Sequence, residues 1–460
     1  MSTTEDLDII SAAVDRLRAA SVPPFPSTRL VKAGEPLQIA LDQGGPIVTE
    51  DGAIFPGTYT FPSGTNIVFG AGSGIKGTTG QAVIVKPGTR NVQVRGGVFA
   101  TNHPEKVKIG DSDAELPSDI SFSFYRIPKQ IGKRAFDVHG DRVSITDGEV
   151  EFVTGPNQDS QAIYVAAGTG GLIARNTLRA GAEVVLFGGT AARSANFLTP
   201  RDWVIEDNDI TRPKEAQTDA VNDLVKNLIE FKNAIGVTVR RNRIHNNWRD
   251  TKGGQSGYAI LLTPADDGEK RDWLRYSGIV KDITFEDNDI FDVSSAFQVM
   301  GRNYASYTAE PLSGIVIRNN RIRVSRAMFA DGGLGQFMII SSEVESINIE
   351  DNTILSDGSS MLYGYAGKAM LPDGTMRDPG LPFGHLSFKR NIVGFLGSYG
   401  FNLLGTANAK EPTWKLAVSD YQLEGNIYNG QSRSGYLGGS FLAGVEFDAL
   451  PQVAAVKAVQ

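Results

Sequence analysis

Glu230 and Lys232 stand two residues apart in a short apolar run, Leu228-Ile-Glu-Phe-Lys232. Alternate side chains of an extended strand point to opposite faces, so Ile229 and Phe231 are expected to enter the core while Glu230 and Lys232 point outward. A carboxyl group beside an ammonium group on one face can transfer protons to a bound substrate. The alternative is an exposed ion pair between neighbours on one face, which would contribute little to stability.

Two longer segments flank this run and add polar and aromatic side chains to it. Residues 211–226 carry Asp219 and Asp223, and residues 245–258 mix amide, aromatic, cationic and carboxylate groups. Such a mixture suits a sugar, whose apolar ring face stacks on an aromatic ring while its hydroxyls take hydrogen bonds. The predicted substrate-binding residues are Asn246, Asn247, Trp248, Lys252, Gln255, Gln298 and Arg302. For Trp248, packing within its own loop is the alternative.

Two kinds of glycan cleavage fit these residue types. A hydrolase needs two carboxyl groups, and the pairs to consider are Glu230 with Asp219, Asp223 or Asp250. A lyase needs a base that removes the proton next to a uronate carboxylate and a cation that neutralises that carboxylate. The candidate base is Tyr258, and the candidate cations are Lys232, Arg249 and Arg302. A calcium ion could supply the positive charge instead. No residue is assigned as a metal ligand and no other cofactor is expected.

A repeated figure positions these candidates. It reads apolar, x, apolar, x, x, Asn, x, apolar, as in Val237-Thr-Val-Arg-Arg-Asn-Arg-Ile244. The Asn place is taken by Asn176, Asn208, Asn242, Asn288, Asn320, Asn352, Asn391 and Asn426, and by Gly97 and Gly148 in two earlier copies. A second apolar run follows each copy, and the runs are too short for helices. Units of roughly 32 residues with two or three strands each predict an all-β fold, a right-handed parallel β-helix.

The buried Asn has a predicted structural role, and so do the charges before it. At a sharp bend Asn tolerates the left-handed backbone conformation, and its amide can bond to neighbouring coils. Two places before it the sign alternates from coil to coil, through Glu206, Arg240, Glu286, Arg318, Glu350, Lys389 and Glu424. Stacked coils would set each charge between two opposite ones. We therefore expect an exposed charge ladder that supports the register, rather than a basic binding surface.

Loop lengths and segment composition complete the predicted organisation. The loop after Phe231 is short while those of neighbouring coils are long, which predicts a groove with Glu230 and Lys232 on its floor. Residues 1–26 are read as a helix and a proline-rich linker, 27–440 as the β-helix, and 441–460 as a tail or cap. The helix, residues 5–20, would cap the solenoid or join copies of the chain through a seam formed by Leu7, Ile10, Val14 and Leu17. Between residues 101 and 134 we expect an irregular side loop.

Composition excludes several classes of function. The net charge of −7 leaves no basic face for nucleic acid. No apolar run reaches the roughly 18 residues that a membrane helix requires. Cysteine is absent, so thiol nucleophiles and thiolate metal sites are excluded. The first twenty residues do not form a secretory signal, and the expected location is extracellular or on a virion.

The repeated figure resembles that of the pectate-lyase-like right-handed β-helix superfamily over roughly residues 60 to 430. The run from Asn227-Leu-Ile-Glu-Phe-Lys-Asn233 through Asn246-Asn-Trp248 to Ala259-Ile-Leu-Leu-Thr-Pro264 is also similar to uncharacterised bacterial β-helix-repeat proteins. The superfamily includes pectate and alginate lyases, polygalacturonases, uronan epimerases and phage tailspikes. The catalytic figures Trp-Ile-Asp-His, Arg-Ile-Lys and Asp-Pro-His-Glu are missing here, so no catalytic residue is carried over.

The resemblance implies binding, and cleavage, of a surface polysaccharide. The leading expectation is a tailspike-type receptor-binding protein that forms a homotrimer or is mounted on a larger particle. Tailspikes leave the cell by lysis and need no export signal. One alternative is a secreted bacterial polysaccharide lyase or glycoside hydrolase. The other is an adhesin or structural spacer without catalytic activity.

Overall fold

The computed structural model describes residues 28–111, 115–156, 158–189, 199–217, 224–250, 255–265, 278–303, 310–326, 334–365, 369–370, 376–377, 383–395, 399–404, 406–407, 409, 411–429 and 439–442. The predicted helix at residues 5–20 and nearly all of the predicted tail 441–460 lie outside them. The boundaries proposed for these end segments therefore remain predictions.

The chain winds through three long sheets, and each coil adds one strand to each sheet. Sheet 1 holds the strands that precede the bend of the repeated figure: Arg29–Val31, Pro46–Thr49, Asn66–Val68, Arg90–Arg95, Ser118–Ser123, Asp141–Thr146, Leu172–Ala174, Val204–Glu206, Thr238–Arg240, Thr284–Glu286, Ile315–Arg318, Val344–Glu350, Phe383–Lys389 and Val418–Glu424. All of its neighbouring pairs are parallel, as in Glu206 beside Arg240 and Arg240 beside Glu286. This arrangement is the predicted right-handed parallel β-helix.

Sheets 2 and 3 follow the bend in that order. Sheet 2 consists of Ile54–Pro56, Gly74–Gly77, Val98–Thr101, Arg126–Ile127, Gln130–Ile131, Glu149–Thr154, Thr177–Ala180, Asp209–Thr211, Arg243–Asn247, Asp289–Val293, Arg321–Val324, Thr353–Ser356, Ile392–Phe395, Asn426–Asn429 and Gly439–Leu442. Sheet 3 consists of Tyr59–Thr60, Val83–Val85, Glu105–Ile109, Arg134–His139, Gln161–Ala167, Glu183–Phe187, Ile229–Phe231, Tyr258–Leu262, Ser295–Met300, Met338–Ser341, Ser360–Tyr365, Tyr399–Leu403 and Thr406–Ala407. Two short pairs stand apart, Ala234–Ile235 with Val280–Lys281 and Ala369–Met370 with Met376–Arg377.

The core is a column of apolar side chains enclosed by the three sheets. In sheet 1 Ile205, Val239, Phe285 and Ile317 are in direct register and fully buried. Phe285 packs against Phe297 of sheet 3 with ring centroids 5.3 Å apart in an edge-to-face arrangement. Burial of one such side chain stabilises the fold by about 1.5–3 kcal/mol. Because the apolar positions of every strand face inward with period two, the outward positions are left for other roles.

The asparagines of the repeat form one continuous hydrogen-bonded ladder. In each step the Asn Nδ2 donates to Oδ1 of the next Asn, at 3.0 Å from Asn242 to Asn288 and 2.9 Å from Asn288 to Asn320. The same Nδ2 donates to a carbonyl of the preceding coil, as Asn288 does to Val239. The predicted bonding to neighbouring coils is thus confirmed. The predicted left-handed conformation is wrong for the Asn itself and belongs to the residue before it: Arg175, Asp207, Arg241, Asp287, Asn319, Asp351 and Arg390 have φ between 53° and 57°.

Residues 101–134 do not form the predicted irregular side loop, because they complete one regular coil with strands in all three sheets. Its bend carries Tyr125 where later coils carry Asn. The Tyr125 hydroxyl donates to Asn176 Oδ1 at 3.1 Å across the intervening coil. Gly148 leaves room for the ring, since a Cβ there would lie 2.3 Å from it. The coil was missed in the sequence because its bend lacks both Asn and Gly.

The charge ladder stands in the predicted register. Direct pairing in sheet 1 joins Glu286 to Arg318 and Arg318 to Glu350. Ion pairs follow, such as Arg240 Nε to Glu206 Oε2 at 2.7 Å and Lys389 Nζ to Glu424 Oε1 at 2.8 Å. The alternating charges are therefore part of the scaffold.

A short helix, Leu37–Gln43, lies at the amino end of the solenoid and was not predicted. Leu37, Ala40 and Leu41 are buried, and Gln38 exchanges hydrogen bonds with the backbone of Thr60. This helix covers the open end of the first coils, the role that the sequence suggested for residues 5–20. A second helix, Glu411–Ala417, packs Trp414 against Phe401 near the other end. Neither of these described helices is long enough to cross a membrane.

Candidate functional site

The outward face of sheet 3 carries a row of residues in direct register, one from each coil. Along the axis the row reads Tyr164, Leu186, Glu230, Leu261 and Gln298. Ile229 and Phe231 lie in the core, so Glu230 points outward as predicted. On this face the polar side chains concentrate at Glu230 and in the coils that precede it.

Glu230 and Lys232 form the predicted pair, with Lys232 Nζ 3.6 Å from Glu230 Oε1. The alternative interpretation, an exposed ion pair, is wrong. Only 4% of the Glu230 side chain and 17% of the Lys232 side chain are accessible. Glu230 Oε2 is buried without a well-oriented hydrogen-bond partner in the described part of the chain. The pair is therefore a desolvated site, in which electrostatic interactions are stronger than on the surface.

A second carboxylate and a second lysine stand beside this pair. Lys226 Nζ lies 3.2 Å from Glu183 Oε1 and 2.7 Å from Asp159 Oδ1. Gln161 Nε2 donates to Glu183 Oε2 at 2.8 Å. Accessibility rises from 1% at Glu183 to 18% at Lys226 and 43% at Asp159. The cluster therefore opens to solvent on the Asp159 side.

The environment raises the proton affinity of two groups in this cluster, Glu230 and Lys226. Burial, opposed by the Lys232 charge and reinforced by the neighbouring Glu183 carboxylate, raises the pKa of Glu230 to about 8. Burial lowers the pKa of Lys226, but the carboxylates of Glu183 and Asp159 outweigh it and raise that pKa above its usual range. At neutral pH the site thus holds a protonated carboxyl group and a fixed cation side by side.

Arg212 is a fully buried neighbour of this cluster. Its guanidinium is fully buried and donates to the carbonyls of Gly181 and Asn227 at 2.8 Å, and also to Ala182 O and to Asn247 Oδ1. Burial lowers the pKa of Arg212 to about 9. These bonds tie the strand that begins at Glu183 to the segment before Glu230, and so fix the distance between the two carboxyl groups.

Several predicted substrate-binding residues have structural partners instead. Trp248 is 5% exposed and packs in an apolar cluster with Phe152, Ala216 and Val225, so the packing alternative is correct and stacking on a sugar is not supported. Asn247 is fully buried between Arg212 and the Gly257 carbonyl. Asn246 donates to Thr211 Oγ1 and to the Arg212 carbonyl, each at 3.2 Å.

Tyr258 does not fit the predicted role of a base. It is 1% exposed, and its hydroxyl donates to Gln336 Oε1. Burial, with the Tyr365 charge as a smaller cause, raises the pKa of Tyr258 far above its usual value. Removal of a substrate proton requires the opposite shift.

The remaining candidates are spread along the helix rather than gathered at Glu230. Asp250 is buried and accepts a hydrogen bond from the Val225 amide at 3.2 Å, while Arg249 is exposed. Gln298 accepts from Ser256 Oγ at 3.3 Å, and Gln255 bridges to Asp250. Arg302 pairs with Glu343 at 3.2 Å. Asp219, Asp223 and Lys252 lie outside the described residues.

A polar cluster that the sequence analysis missed lies on the same face, at Arg134, Asp137, His139 and Tyr164. Asp137 Oδ1 is 3.3 Å from both Arg134 NH1 and His139 Nε2, and the Arg134 guanidinium lies 3.7 Å from the centre of the Tyr164 ring. The signal was present in Phe136-Asp-Val-His139, an alternation of core and outward residues. The cluster was not predicted because Arg134 stood at the end of the predicted side loop. Glu183 was not predicted because it lies on the coil before that of Glu230.

No metal-binding group stands out. Among the described residues, no set of three or more histidine, aspartate or glutamate side chains is placed to hold an ion. The suggested calcium therefore has no ligand set within that part of the chain, and the cations near Glu230 are the lysines.

Comparison with known proteins supports the fold. No protein-family model and no curated protein matches the sequence. A mannuronic acid specific polysaccharide family 6 lyase from human gut microbiota aligns with a TM-score of 0.53 and 13% identity over 91% of each chain. An exopolygalacturonase from Thermotoga maritima aligns with a TM-score of 0.43 and 11% identity, over 86% of this chain and 96% of its own. A mutant tailspike protein of E. coli bacteriophage HK620, in complex with pentasaccharide, aligns with a TM-score of 0.41 and 12% identity, over 86% of this chain and 62% of its own.

At such identities the likeness concerns the fold alone, and the lyase is the structure that carries it. The alignment covers 91% of each chain. The chain therefore has a right-handed parallel β-helix fold.

Proposed function

We propose that this protein binds a polysaccharide along the outward face of sheet 3 and cleaves it, with Glu230 as the proton donor. The observation that supports this most is the state of the Glu230 carboxyl group. It is buried, one oxygen lacks a well-oriented partner among the described residues, and its pKa is raised to about 8. Buried polar atoms are rarely left unsatisfied, and carboxyl groups with raised pKa values concentrate at functional sites.

A protonated Glu230 can give its proton to the glycosidic oxygen as the bond to the sugar carbon breaks. This step is common to hydrolysis and to β-elimination. In hydrolysis a water molecule adds to that carbon and its spare proton restores Glu230; in β-elimination the neighbouring carbon gives up its proton to solvent and a double bond forms. The Glu183 carboxylate raises the pKa of Glu230, so we assign it the role of keeping the Glu230 proton in place. Lys226 and Lys232 supply positive charge for an anionic group of the substrate.

The comparisons support a polysaccharide as the substrate class. The lyase with the same fold is specific for a mannuronic acid polymer, and an acidic sugar would suit the two lysines beside Glu230. We therefore propose an acidic polysaccharide in preference to a neutral one.

The test is degradation of a panel of acidic and neutral polysaccharides by the wild-type protein and by Glu230→Gln. New reducing ends with ultraviolet absorbance from unsaturated sugars would identify β-elimination, and reducing ends alone would identify hydrolysis. Because the amide keeps the shape but has no acidic proton, the variant should lose about a hundredfold or more in kcat and retain binding.

Glu286→Gln provides the matched control. It makes the same chemical change in an outward-facing strand residue, but on sheet 1, where Glu286 pairs with Arg318. This variant should degrade the substrate like the wild type. Equal activity of Glu230→Gln and Glu286→Gln would disprove the role of Glu230, and binding without any release of ends would make the protein an adhesin.

We propose a virion setting of the tailspike type for this activity, with the protein outside the cell as a homotrimer or mounted on a particle. The apolar seam predicted at Leu7, Ile10, Val14 and Leu17 supports such an assembly, as do the half-exposed Leu30 and Ile39 at the same end of the solenoid. Light scattering should give a trimer mass for the full chain and a smaller mass after removal of residues 1–24. A monomer mass for both would argue for a secreted bacterial enzyme instead.

A further inference from the structure

Gln161 lies between Arg134 and the two carboxyl groups of Glu183 and Glu230. Arg134, Gln161 and Glu183 are in direct register on three successive strands of sheet 3. Arg134 Nε donates to Gln161 Oε1 at 3.3 Å, and Gln161 Nε2 donates to Glu183 Oε2 at 2.8 Å. The Glu183 side chain is in hydrogen-bonding contact with Glu230. A chain of polar contacts therefore connects Arg134 to the proposed proton donor.

Arg134 fixes which end of the Gln161 amide faces Glu183. A guanidinium group can only donate hydrogen bonds, whereas an amide accepts through its oxygen and donates through its nitrogen. Because Arg134 holds Oε1, the NH2 group of Gln161 must point to Glu183. Arg134 is itself held by Asp137 at 3.3 Å and lies 3.7 Å from the centre of the Tyr164 ring. Gln161 is only 1% exposed, so its NH2 group has Glu183 rather than solvent as its partner.

Glu183 and Glu230 are arranged to hold one proton between them. Glu183 Oε1 and Glu230 Oε2 are both buried, and neither has a well-oriented donor among the described residues. Two carboxylates in contact repel each other in a desolvated site, and one proton placed on either of them removes that repulsion. The protonated group then donates to the other. The location of this proton matters because only Glu230 is assigned as the proton donor.

The two lysines beside the pair do not decide where the proton resides. Lys226 Nζ lies 3.2 Å from Glu183 Oε1 and Lys232 Nζ lies 3.6 Å from Glu230 Oε1, so each carboxyl group has one cation nearby. Gln161 breaks this symmetry, because it donates to Glu183 while Glu230 Oε2 lacks a well-oriented donor in the described part of the chain. A donor stabilises the ionised form of the carboxyl group that it contacts.

Three further titratable groups belong to elements packed against the pair: Asp159, Arg212 and Tyr258. Asp159 binds Lys226 at 2.7 Å. Tyr258 donates its hydroxyl to Gln336. The Arg212 charge acts on Glu183, and so it supports the same location of the proton as Gln161 does.

We propose that Gln161, oriented by Arg134, is a positioning residue that assigns the shared proton to Glu230 and keeps Glu183 as the anion. The inference rests on the proposed function for its catalytic consequence, but the location of the proton can be measured without any substrate. Without the amide donor the proton should redistribute from Glu230 toward Glu183, while both carboxyl groups stay in place.

The first experiment locates the proton by carbon NMR of protein with isotopically labelled glutamate carboxyl groups. At neutral pH one wild-type signal should have the chemical shift of a protonated carboxyl group and be absent from Glu230→Gln, and Glu183→Gln assigns its partner. Gln161→Met keeps the length of the side chain but has no donor. In this variant the Glu230 signal should move toward the ionised value and the Glu183 signal toward the protonated one. The ratio of the two forms should change about tenfold or more.

Catalysis provides the second readout, with the polysaccharide that the wild-type protein degrades. Gln161→Met should lower kcat about tenfold and leave KM within about twofold, because less of the enzyme carries a protonated Glu230 while its binding surface is unchanged. Arg134→Met should reproduce part of both effects. Arg134→Lys retains a donor for Gln161 Oε1 and should stay close to the wild type.

Gln336→Met is the matched control. Gln336 is also a buried amide beside a strand of sheet 3, but its oxygen accepts from Tyr258 and it contacts neither carboxyl group of the pair. Its loss should leave the carboxyl signals and kcat unchanged. Thermal melts show which variants are folded, and Arg134→Met carries the test if Gln161→Met does not fold.

The outcomes separate this inference from the proposed function. Unchanged carboxyl signals in folded Gln161→Met and Arg134→Met would overturn the role of Gln161 and leave Glu230 as the proton donor. A loss of kcat without movement of the signals, or equal movement in Gln336→Met, would overturn it as well. Signals that move as expected in a protein that degrades no polysaccharide of the panel would support the role of Gln161 and overturn the proposed function instead.

Discussion

The hydroxyl of Tyr125 donates a hydrogen bond to Oδ1 of Asn176, 3.1 Å away and two coils further along the solenoid. The tyrosine therefore continues the asparagine ladder past its first member. The ring occupies the space above Gly148, whose amide donates to the same oxygen at 3.0 Å. At this end of the ladder Tyr125 and Gly148 thus make the hydrogen bonds that a pair of asparagines makes in later coils.

Gly148→Ala should destabilise the protein by about 3 kcal/mol, because the new methyl group would lie 2.3 Å from the Tyr125 ring, and displacing a buried ring strains the core. Tyr125→Phe removes only the hydroxyl and should cost about 1–2 kcal/mol. Urea unfolding of the two variants checks the order. In Gly148→Ala/Tyr125→Ala the clash is absent, so its loss should be smaller than the sum of the losses of Gly148→Ala and Tyr125→Ala measured singly. Strict additivity would contradict this account.

Arg318→Glu should lower the free energy of unfolding by about 1–2 kcal/mol and leave glycan binding unchanged. The substitution places three like charges in direct register, at Glu286, position 318 and Glu350. Because the Arg318 side chain is mostly exposed, salt should screen the loss. Melting curves at low and high ionic strength measure this. Loss of glycan binding at unchanged stability would assign Arg318 to the site.

Glu230 should make stability depend on pH between its two pKa values. The folded protein keeps the carboxyl proton up to about pH 8, whereas the unfolded chain loses it near the ordinary value of 4.5. Since the folded state binds more protons in this window, stability falls as pH rises from about 4.5 to 8 and falls no further above it. Glu230→Gln has no ionisable proton at this position, so its stability lacks this dependence on pH.

The wild-type protein should therefore lose a few kcal/mol relative to Glu230→Gln between about pH 5 and pH 9. Denaturant titrations of both proteins across that range give the difference directly. A constant difference across the range would mean that Glu230 is ionised in the folded protein at neutral pH. The kcat of the wild type should fall on the alkaline side of the same pKa, because the proton donor is lost there.

Trp248→Ala should destabilise the protein by about 3–5 kcal/mol, in contrast to the small effect that an exposed stacking residue would show. The indole is packed against Phe152 and Val225 on the outside of the helix wall. Trp248→Phe retains most of the packing and should lose much less. Affinity for glycan, measured on whatever fraction stays folded, should be unchanged by Trp248→Phe. A reduced affinity with an unchanged melting temperature would restore the stacking role.

The sequence predicted those parts of the structure that repeat. Asn242 and Arg240 each occupy a place that recurs in seven or more coils, so the pattern reveals both the register and the role of the side chain. The left-handed conformation was predicted for the Asn but belongs to the residue before it. Arg241, Asp287 and Asn319 show that a residue of any charge can adopt that conformation beside the Asn. The chemistry of the side chain therefore did not identify the bend.

The candidate site was only partly predictable, because its residues do not repeat. Glu230 and its outward direction follow from alternation within one strand. Its burial, its raised pKa and its contact with Glu183 depend on a strand that lies 44 residues earlier in the chain. Trp248 was misread for a similar reason, since its partner Phe152 is almost a hundred residues away. Such contacts become visible only when the coils are aligned in register.

The asparagine ladder makes the axial spacing between coils independent of the number of residues in each coil. The step from Asn242 to Asn288 spans 46 residues and that from Asn288 to Asn320 spans 32, yet the amide bonds are 3.0 and 2.9 Å. Each turn is anchored at its bend, so residues added elsewhere in the coil leave its neighbours in place. Loops that join the strands can consequently lengthen, shorten or exchange sequence while the strand that carries Glu230 stays fixed. A scaffold of this kind would allow the proposed glycan specificity to diverge by loop replacement alone, and loops from related solenoids could be transplanted onto it coil by coil.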